Sequence, residues 1–260
     1  MPDMNQEQLI FLHIPKTAGT SLNQMLSKAY GVMNPVTGKF IHYNSTLSLI
    51  RDARRRERPV ILGHIHYEAV KVLSPSRKVI TFLRDPVART ISAFEFMKSH
   101  PEVWLGKLAQ GSITEFLSLP NIAEAFCNSQ VRMLGLKLDL LELYADHVTG
   151  RLSVEEYFDT IQNLARVPVN MENLEIAKNR LQTLDFVGFT DTFDDDVKKL
   201  FALLDKPCSE VARANQTPVQ FRKRDKYTED EIAFVASINS LDSQLYTYAK
   251  ELRGVILSPI

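Results

Sequence analysis

The 260-residue chain holds only two cysteines, Cys127 and Cys208. Two thiols cannot frame a disulfide-stapled fold. They point to a reducing compartment, in which each reads as a small buried hydrophobe. Net charge is missing as well: 31 Lys and Arg balance 31 Asp and Glu. No global field draws in nucleic acid, so any anion site has to be built locally. No apolar run reaches the length of a membrane span, and Met1 to Gln8 carry neither a basic nor an apolar leader pattern. The expectation is a cytoplasmic protein with no membrane span and no nucleic-acid partner. Repeats and low-complexity stretches are absent too. With 45% apolar residues, what remains is one large domain over 1–260 that has room for an inserted helical lobe.

The pattern along the chain alternates strands with helices. Residues 9–14 form a continuous apolar strand of the kind buried on both faces. A helix follows over 20–30 and stops at Gly31. Residues 33–45 read as loop and 46–56 as helix. Strands are expected at 60–65 and 78–84, with a short helix over 68–73 between them. Asp85-Pro86 opens a helix, Asp as cap and Pro at the first helical position, which runs to Ser99. Residues 102–180 read as a helical lobe inserted after the third strand, with turns at Gly111, Pro120-Asn121 and Gly150. A fourth strand at 185–189 leads to a helix over 191–204. After a polar, basic loop at 205–227, Thr228 and Glu231 make a capping box for one last helix, to Leu252. The class is α/β: a P-loop-like parallel sheet flanked by helices. Ligands bind such sheets beyond the carboxyl ends of the strands. The loop around Lys16, His64 and Arg84 each follow or end a strand, and so fall on that edge.

The stretch His13-Ile-Pro-Lys-Thr-Ala-Gly-Thr-Ser-Leu22 joins the first strand to its helix. It aims backbone N–H groups, one cation and three hydroxyls at a helix N-terminus, an arrangement that binds phosphate. Lys16, Thr17, Ala18, Gly19, Thr20 and Ser21 are the candidate contacts. The order differs from the nucleotidase loop G-x-x-x-x-G-K-[ST], because Lys16 precedes Gly19 and no glycine stands near position 11. No strand ends in a clear acidic metal ligand either. Asp194, Asp195 and Asp196 lie in the first turn of a helix, where they complement its dipole. The expected reaction needs no metal.

The loop resembles the 5′-phosphosulfate loop of the carbohydrate sulfotransferases, of the heparan sulfate 2-O- and 6-O-sulfotransferase type and its bacterial counterparts. A second hallmark of that family is a strand ending in Arg, followed by a helix with a Ser eight residues on. Here it reads Phe82-Leu-Arg-Asp-Pro-Val-Ala-Arg-Thr-Ile-Ser-Ala-Phe-Glu-Phe96. The resemblance is strong over 9–100, weaker over 185–250 and thin in the lobe. It implies 3′-phosphoadenosine 5′-phosphosulfate (PAPS) as donor, 3′,5′-ADP as product and no metal. By the same resemblance Arg84 and Ser92 hold the 3′-phosphate. Lys16 neutralises the 5′-phosphate and donates to the leaving oxygen. Thr217 and Arg222, in a late loop that closes on the nucleotide, are further cofactor contacts. The guanidinium fork of Arg84 matches a phosphate better than a Lys would. Phe94 and Phe96 read as core and lobe packing.

Sulfuryl transfer to a hydroxyl requires removal of its proton. A His near its ordinary pKa of about 6.5 suits that task. Among six histidines, His13 lies beside the loop, while His42, His100 and His147 have no special context. His64 and His66 stand at the end of the second strand and would point to opposite faces if the strand persists, so only one of them can be the base. The resemblance, in which the catalytic His directly follows a Gly, selects His64. Glu68 and Glu95 are reserves. The acceptor is a hydroxyl compound, an oligosaccharide first, with lipid head groups and small molecules behind it. Arg51, Arg54, Arg55, Arg56 and Arg58 read as a solvated helix face before a grip on an anionic saccharide. Arg222, Lys223, Arg224 and Lys226 form a second basic loop. Asn128, Gln130 and Arg132 share one helix face by spacing and are candidates to touch acceptor or donor sulfate. A P-loop kinase-like phosphotransferase and a non-catalytic nucleotide- or glycan-binding module are the alternatives. A bacterial source is expected, and nothing in the pattern assigns an oligomeric state.

Overall fold

The computed structural model describes residues 8–31, 37–38, 59–68, 70, 77–137, 149–151, 153, 167–208 and 226–256. Its centre is one parallel sheet of five strands: β1 (Leu9–Leu12), β2 (Thr37–Gly38), β3 (Val60–Gly63), β4 (Lys78–Leu83) and β5 (Phe186–Phe189). The order across the sheet is β2-β3-β1-β4-β5. Helices α1 (Gly19–Ala29), α2 (Pro86–Lys98), α3 (Trp104–Leu108), α4 (Ile113–Leu117), α5 (Ile122–Phe126), α6 (Ser129–Gly135), α7 (Met171–Leu181), α8 (Phe193–Leu203), α9 (Glu229–Ser237) and α10 (Ser240–Ile256) complete the described residues.

Strand β1 is buried throughout, and its side chains alternate between two cores. Ile10 and Leu12 join Ile61, Val79, Leu83 and residues of α6, α7 and α10 on one face. Leu9 and Phe11 join Leu62, Phe82 and residues of α1 and α8 on the other. A third cluster gathers α2, α4, α5 and α9 around Phe94, Phe116 and Val235. Each fully buried large side chain contributes about 1.5–3 kcal/mol, and in β1 this comes from both faces at once. That accounts for the unbroken apolar run.

The start of α2 follows its local code. Asp85 accepts from the Ala88 N–H at 2.8 Å, and Pro86 takes the first helical position. The end of the chain does not follow the expected single helix. It breaks at Ile238–Asn239, between α9 and α10. Asn239 is fully buried there. Its Nδ2 donates to the Val235 carbonyl at 2.8 Å, and its Oδ1 accepts from the Asn128 N–H at 3.0 Å and the Thr90 hydroxyl at 3.3 Å. The break turns one amide toward three elements.

The stretch 102–180 is helical where it is described and contributes to two cores. Its α6 and α7 pack in the core of the sheet, and only α3 to α5 stand apart with α2 and α9. The helix expected at 46–56 lies outside the described residues, as does most of that at 68–73. Cys127 is buried as expected, whereas Cys208 is exposed. Asp196 does more than complement a dipole. It is fully buried, accepts from the Phe189 N–H at 2.8 Å and pairs with Arg253, tying β5 to α10. Among the described residues no helix is long and apolar enough to cross a membrane.

Candidate active site

Strand β1 ends at the loop that leads into α1. Lys16 and Ala18 are left-handed there, with φ of 71° and 64°, a conformation that costs a non-glycine residue about 1–2 kcal/mol. Thr17, buried between them, donates its hydroxyl to the Ile14 carbonyl at 2.8 Å and holds the turn. The N-cap residue of α1, Ala18, supplies no side-chain cap, and the first turn carries no acidic residue. Neither the Ala18 side chain nor an acid in the first turn offsets the partial positive charge of this helix N-terminus. Ser21 is buried in that first turn. Gly19 has a steric reason: a Cβ there would lie 1.8 Å from His13 Nε2.

The adjacent strand β4 delivers Arg84. Its Nη1 donates to the Lys16 carbonyl at 3.0 Å. Gln130 grips the Arg84 backbone twice, Nε2 donating to its carbonyl at 2.9 Å and Oε1 accepting from its N–H at 3.0 Å. The N–H groups of Gln130 and Val131 donate in turn to buried Asp242 at 3.1 and 2.8 Å. Ser92 is buried along α2. Burial lowers the pKa of the Arg84 guanidinium, and the neighbouring Arg89 adds to that. Thr217 and Arg222 lie outside the described residues, as do Arg51, Arg54, Arg55, Arg56, Arg58, Lys223 and Arg224.

Strand β3, on the other side of β1, ends at His64. Its Nδ1 stands 2.8 Å from the His13 carbonyl oxygen. A carbonyl only accepts, so Nδ1 carries the proton and Nε2 of the neutral ring presents a lone pair. The two imidazoles pack at 4.2 Å between centroids. Burial pulls the His64 pKa below 6.5, the bond to the His13 carbonyl opposes this, and the Lys16 charge lowers it again. His13 is driven well below 6.5 by burial, then by His64 and Lys16.

Strand β3 stops at Gly63, so the expected alternation of His64 and His66 across a strand does not apply, and their surroundings separate them instead. His66 is buried, and burial first, then the Arg132 charge, pushes it down to about 3. Glu68 is buried in an ion pair with Arg180. Glu95 accepts from the Tyr227 hydroxyl at 2.6 Å. The side chains of Asn128, Gln130 and Arg132 bond to backbone groups of other segments. Asn128 donates to the Ile238 carbonyl at 3.2 Å and accepts from the Asp242 N–H at 3.0 Å. Arg132 donates to the carbonyls of Val167 at 3.1 Å and Cys127 at 3.0 Å. Phe94 is core, but Phe96 is exposed, with Lys16 Nζ 4.3 Å from its ring centroid. Asp242 went unseen in the sequence because its partners stand more than a hundred residues away and no local motif marks it.

The parallel sheet with a strand–loop–helix at its carboxyl edge defines a P-loop-like α/β protein. The profile of the Sulfotransferase family matches residues 4–249, and the chain belongs to that family. It is similar to heparan-sulfate 6-O-sulfotransferase 2 of Gallus gallus, at 26% identity over 292 aligned residues. The alignment covers 94% of this chain and 66% of the relative, so the chain spans a little under two thirds of that protein's length.

Proposed function

We propose that the protein transfers a sulfuryl group from PAPS to a hydroxyl of a carbohydrate acceptor, with His64 as general base. The 2.8 Å contact between His64 Nδ1 and the His13 carbonyl carries this reading. It fixes which ring nitrogen can take a proton, and it does so through the residue that opens the phosphate loop.

The residues present suit a nucleotide with phosphate at both ends. The donor supplies an activated sulfuryl group whose leaving group is a phosphate. Lys16 and the N-terminus of α1, whose N-cap residue Ala18 supplies no side-chain cap, meet the 5′ end and the negative charge that grows there. Thr17, Ala18, Gly19, Thr20 and Ser21 frame the same loop. Arg84, aimed by Gln130 and bonded to the loop at Lys16, meets the 3′-phosphate with the Ser92 hydroxyl. The family resemblance adds Thr217 and Arg222 as further contacts to the nucleotide. His64 Nε2 takes the acceptor proton while Nδ1–H holds the ring against the His13 carbonyl. A pKa below 6.5 keeps the ring neutral, and so able to accept, at neutral pH. No step assigns a role to a metal ion.

The name of the avian relative supports a carbohydrate acceptor. The whole of 1–260 is read as one sulfotransferase domain, with the lobe of about 102–180 within it. The test is a transfer screen with sulfur-labelled PAPS over saccharide, lipid and small hydroxyl acceptors, run beside thermal melts with 3′,5′-ADP. The expected result is a labelled saccharide and a raised Tm. No labelled product together with no shift overturns the proposal, and magnesium-dependent ATP turnover in their place makes the protein a phosphotransferase.

A further inference from the structure

Phe96 lies 43% exposed on α2, although Ala93 and Phe94 of the same helix are buried in the lobe core. Lys16 Nζ stands over its ring, 4.3 Å from the centroid. One helical turn on, the His100 ring packs on Phe96 at 4.3 Å, and His100 Nδ1 stands 2.7 Å from the Phe96 carbonyl oxygen. The Phe96 ring is thus braced by its own helix end. The backbone of the same lysine is held by Arg84 Nη1, which donates to the Lys16 carbonyl at 3.0 Å. Both grips on Lys16 come from one continuous segment, the end of β4 and α2.

We propose that Phe96 is a positioning residue for Lys16. Its ring face holds the ammonium at the mouth of the phosphate loop before the nucleotide arrives, and couples the loop to the helix that bears Ser92. A ring face attracts a cation without accepting its proton or cancelling its charge. The ring thus leaves the charge it holds available to a phosphate oxygen, which a carboxylate at position 96 would not. Guidance matters at this residue because a lysine stem is long and flexible and its charge is a point charge without a fork to orient it. The inference rests on reading Lys16 as the residue that meets the 5′-phosphate and the leaving oxygen.

The test uses the full chain with Phe96→Trp, Phe96→Tyr, Phe96→Leu and Phe96→Ala, together with Lys16→Ala. The exposure of Phe96 leaves folding largely insensitive to these changes, and thermal melts verify that. NMR of the Lys16 ε-methylene, assigned by its loss in Lys16→Ala, reads the pairing without any transfer reaction. An upfield ring-current shift is expected for Phe, Tyr and Trp and its disappearance for Leu and Ala. In the labelled transfer assay, kcat should fall about 2–5-fold for Leu and Ala, while Trp and Tyr keep the parental rate. Phe96→Leu should have no further effect in the Lys16→Ala background. An ε-methylene unshifted in the parent protein, or a Leu variant as fast as the parent, overturns the proposal. An equal loss for Phe96→Leu with and without Lys16 also overturns it and makes Phe96 a direct substrate contact. A shifted methylene with no transfer to any acceptor upholds the pairing and counts against the sulfotransferase reading instead.

Discussion

A single methyl group at position 19 probes how the loop after β1 and the proposed base His64 are joined. A Cβ on Gly19 would fall 1.8, 2.0 and 2.2 Å from three atoms of the His13 ring, where carbon atoms normally approach to about 3.5–4.0 Å. The ring cannot swing clear. It is only 7% exposed, stacks on Phe11 at 5.3 Å and packs against His64 at 4.2 Å. Overpacking of this kind costs about 1–3 kcal/mol, and the fenced ring puts Gly19→Ala toward the upper end. The better helix propensity of Ala offsets at most about 1 kcal/mol. The net loss is about 1–2 kcal/mol, or roughly 2–8 °C in Tm for a chain of this size. The shifted His13 also disturbs the carbonyl that holds His64, so transfer should fall by more than the lost stability explains. Removing the ring makes room: Gly19→Ala in a His13→Ala background should cost less than about 0.5 kcal/mol. Urea melts of the four proteins give the cycle. The reasoning is refuted if Gly19→Ala is as stable as the parent, or if it costs the same in both backgrounds.

Three other outcomes follow from the same geometry. The acid limb of kcat/KM should have its midpoint below pH 6.5, because His64 has to be neutral to accept a proton and its pKa is lowered; in Lys16→Gln the His64 NMR titration should move upward as the repelling charge is lost, and a parental midpoint at or above 6.5 contradicts this. His66 contributes stability that is complete above pH 6.5 and is lost as pH falls toward about 3, since the unfolded chain binds a proton in that window and the folded one does not; His66→Gln should flatten the slope by up to about 1.4 kcal/mol per pH unit, and an unchanged slope in urea melts refutes it. Asp242→Ala should cost roughly 1–3 kcal/mol for each of the two buried N–H groups that it leaves without an acceptor at the start of α6; it should also weaken 3′,5′-ADP binding through Gln130 and Arg84, and a variant with parental stability rules that scaffold out.

The parts of this structure that the sequence revealed are those written in neighbouring residues. The short apolar run at 9–12 reads as a strand buried on both faces, and β1 is one. The Asp85-Pro86 pair and the capping box of Thr228 and Glu231 each satisfy helix N–H groups within three or four residues. Long-range polar bonds left no such trace. The spacing of Asn128, Gln130 and Arg132 suggested one helix stripe. Asn128, however, is left-handed at φ 48° and stands outside the helix, and all three side chains turn inward to backbone groups of distant segments. The break at Asn239 is invisible locally because its cause is a set of partners on other elements. His64 and His66 were separable in sequence only by the resemblance. In the fold they differ physically, one bonded to the carbonyl of the phosphate loop's first residue and the other sealed beside two arginines. Phe96 shows the converse error, since an aromatic residue in an amphipathic helix reads as core until its exposure and its lysine partner are seen.

The most direct test of the central claim is single-turnover transfer from sulfur-labelled PAPS by His64→Ala, measured beside the affinity of the same variant for 3′,5′-ADP by calorimetry. A general base contributes about 10²–10⁴-fold to rate. A loss of transfer of that size with nucleotide affinity kept is expected, because the proposed nucleotide contacts at Lys16, the α1 N-terminus, Arg84 and Ser92 are untouched. Transfer by His64→Ala at the parental rate would contradict it.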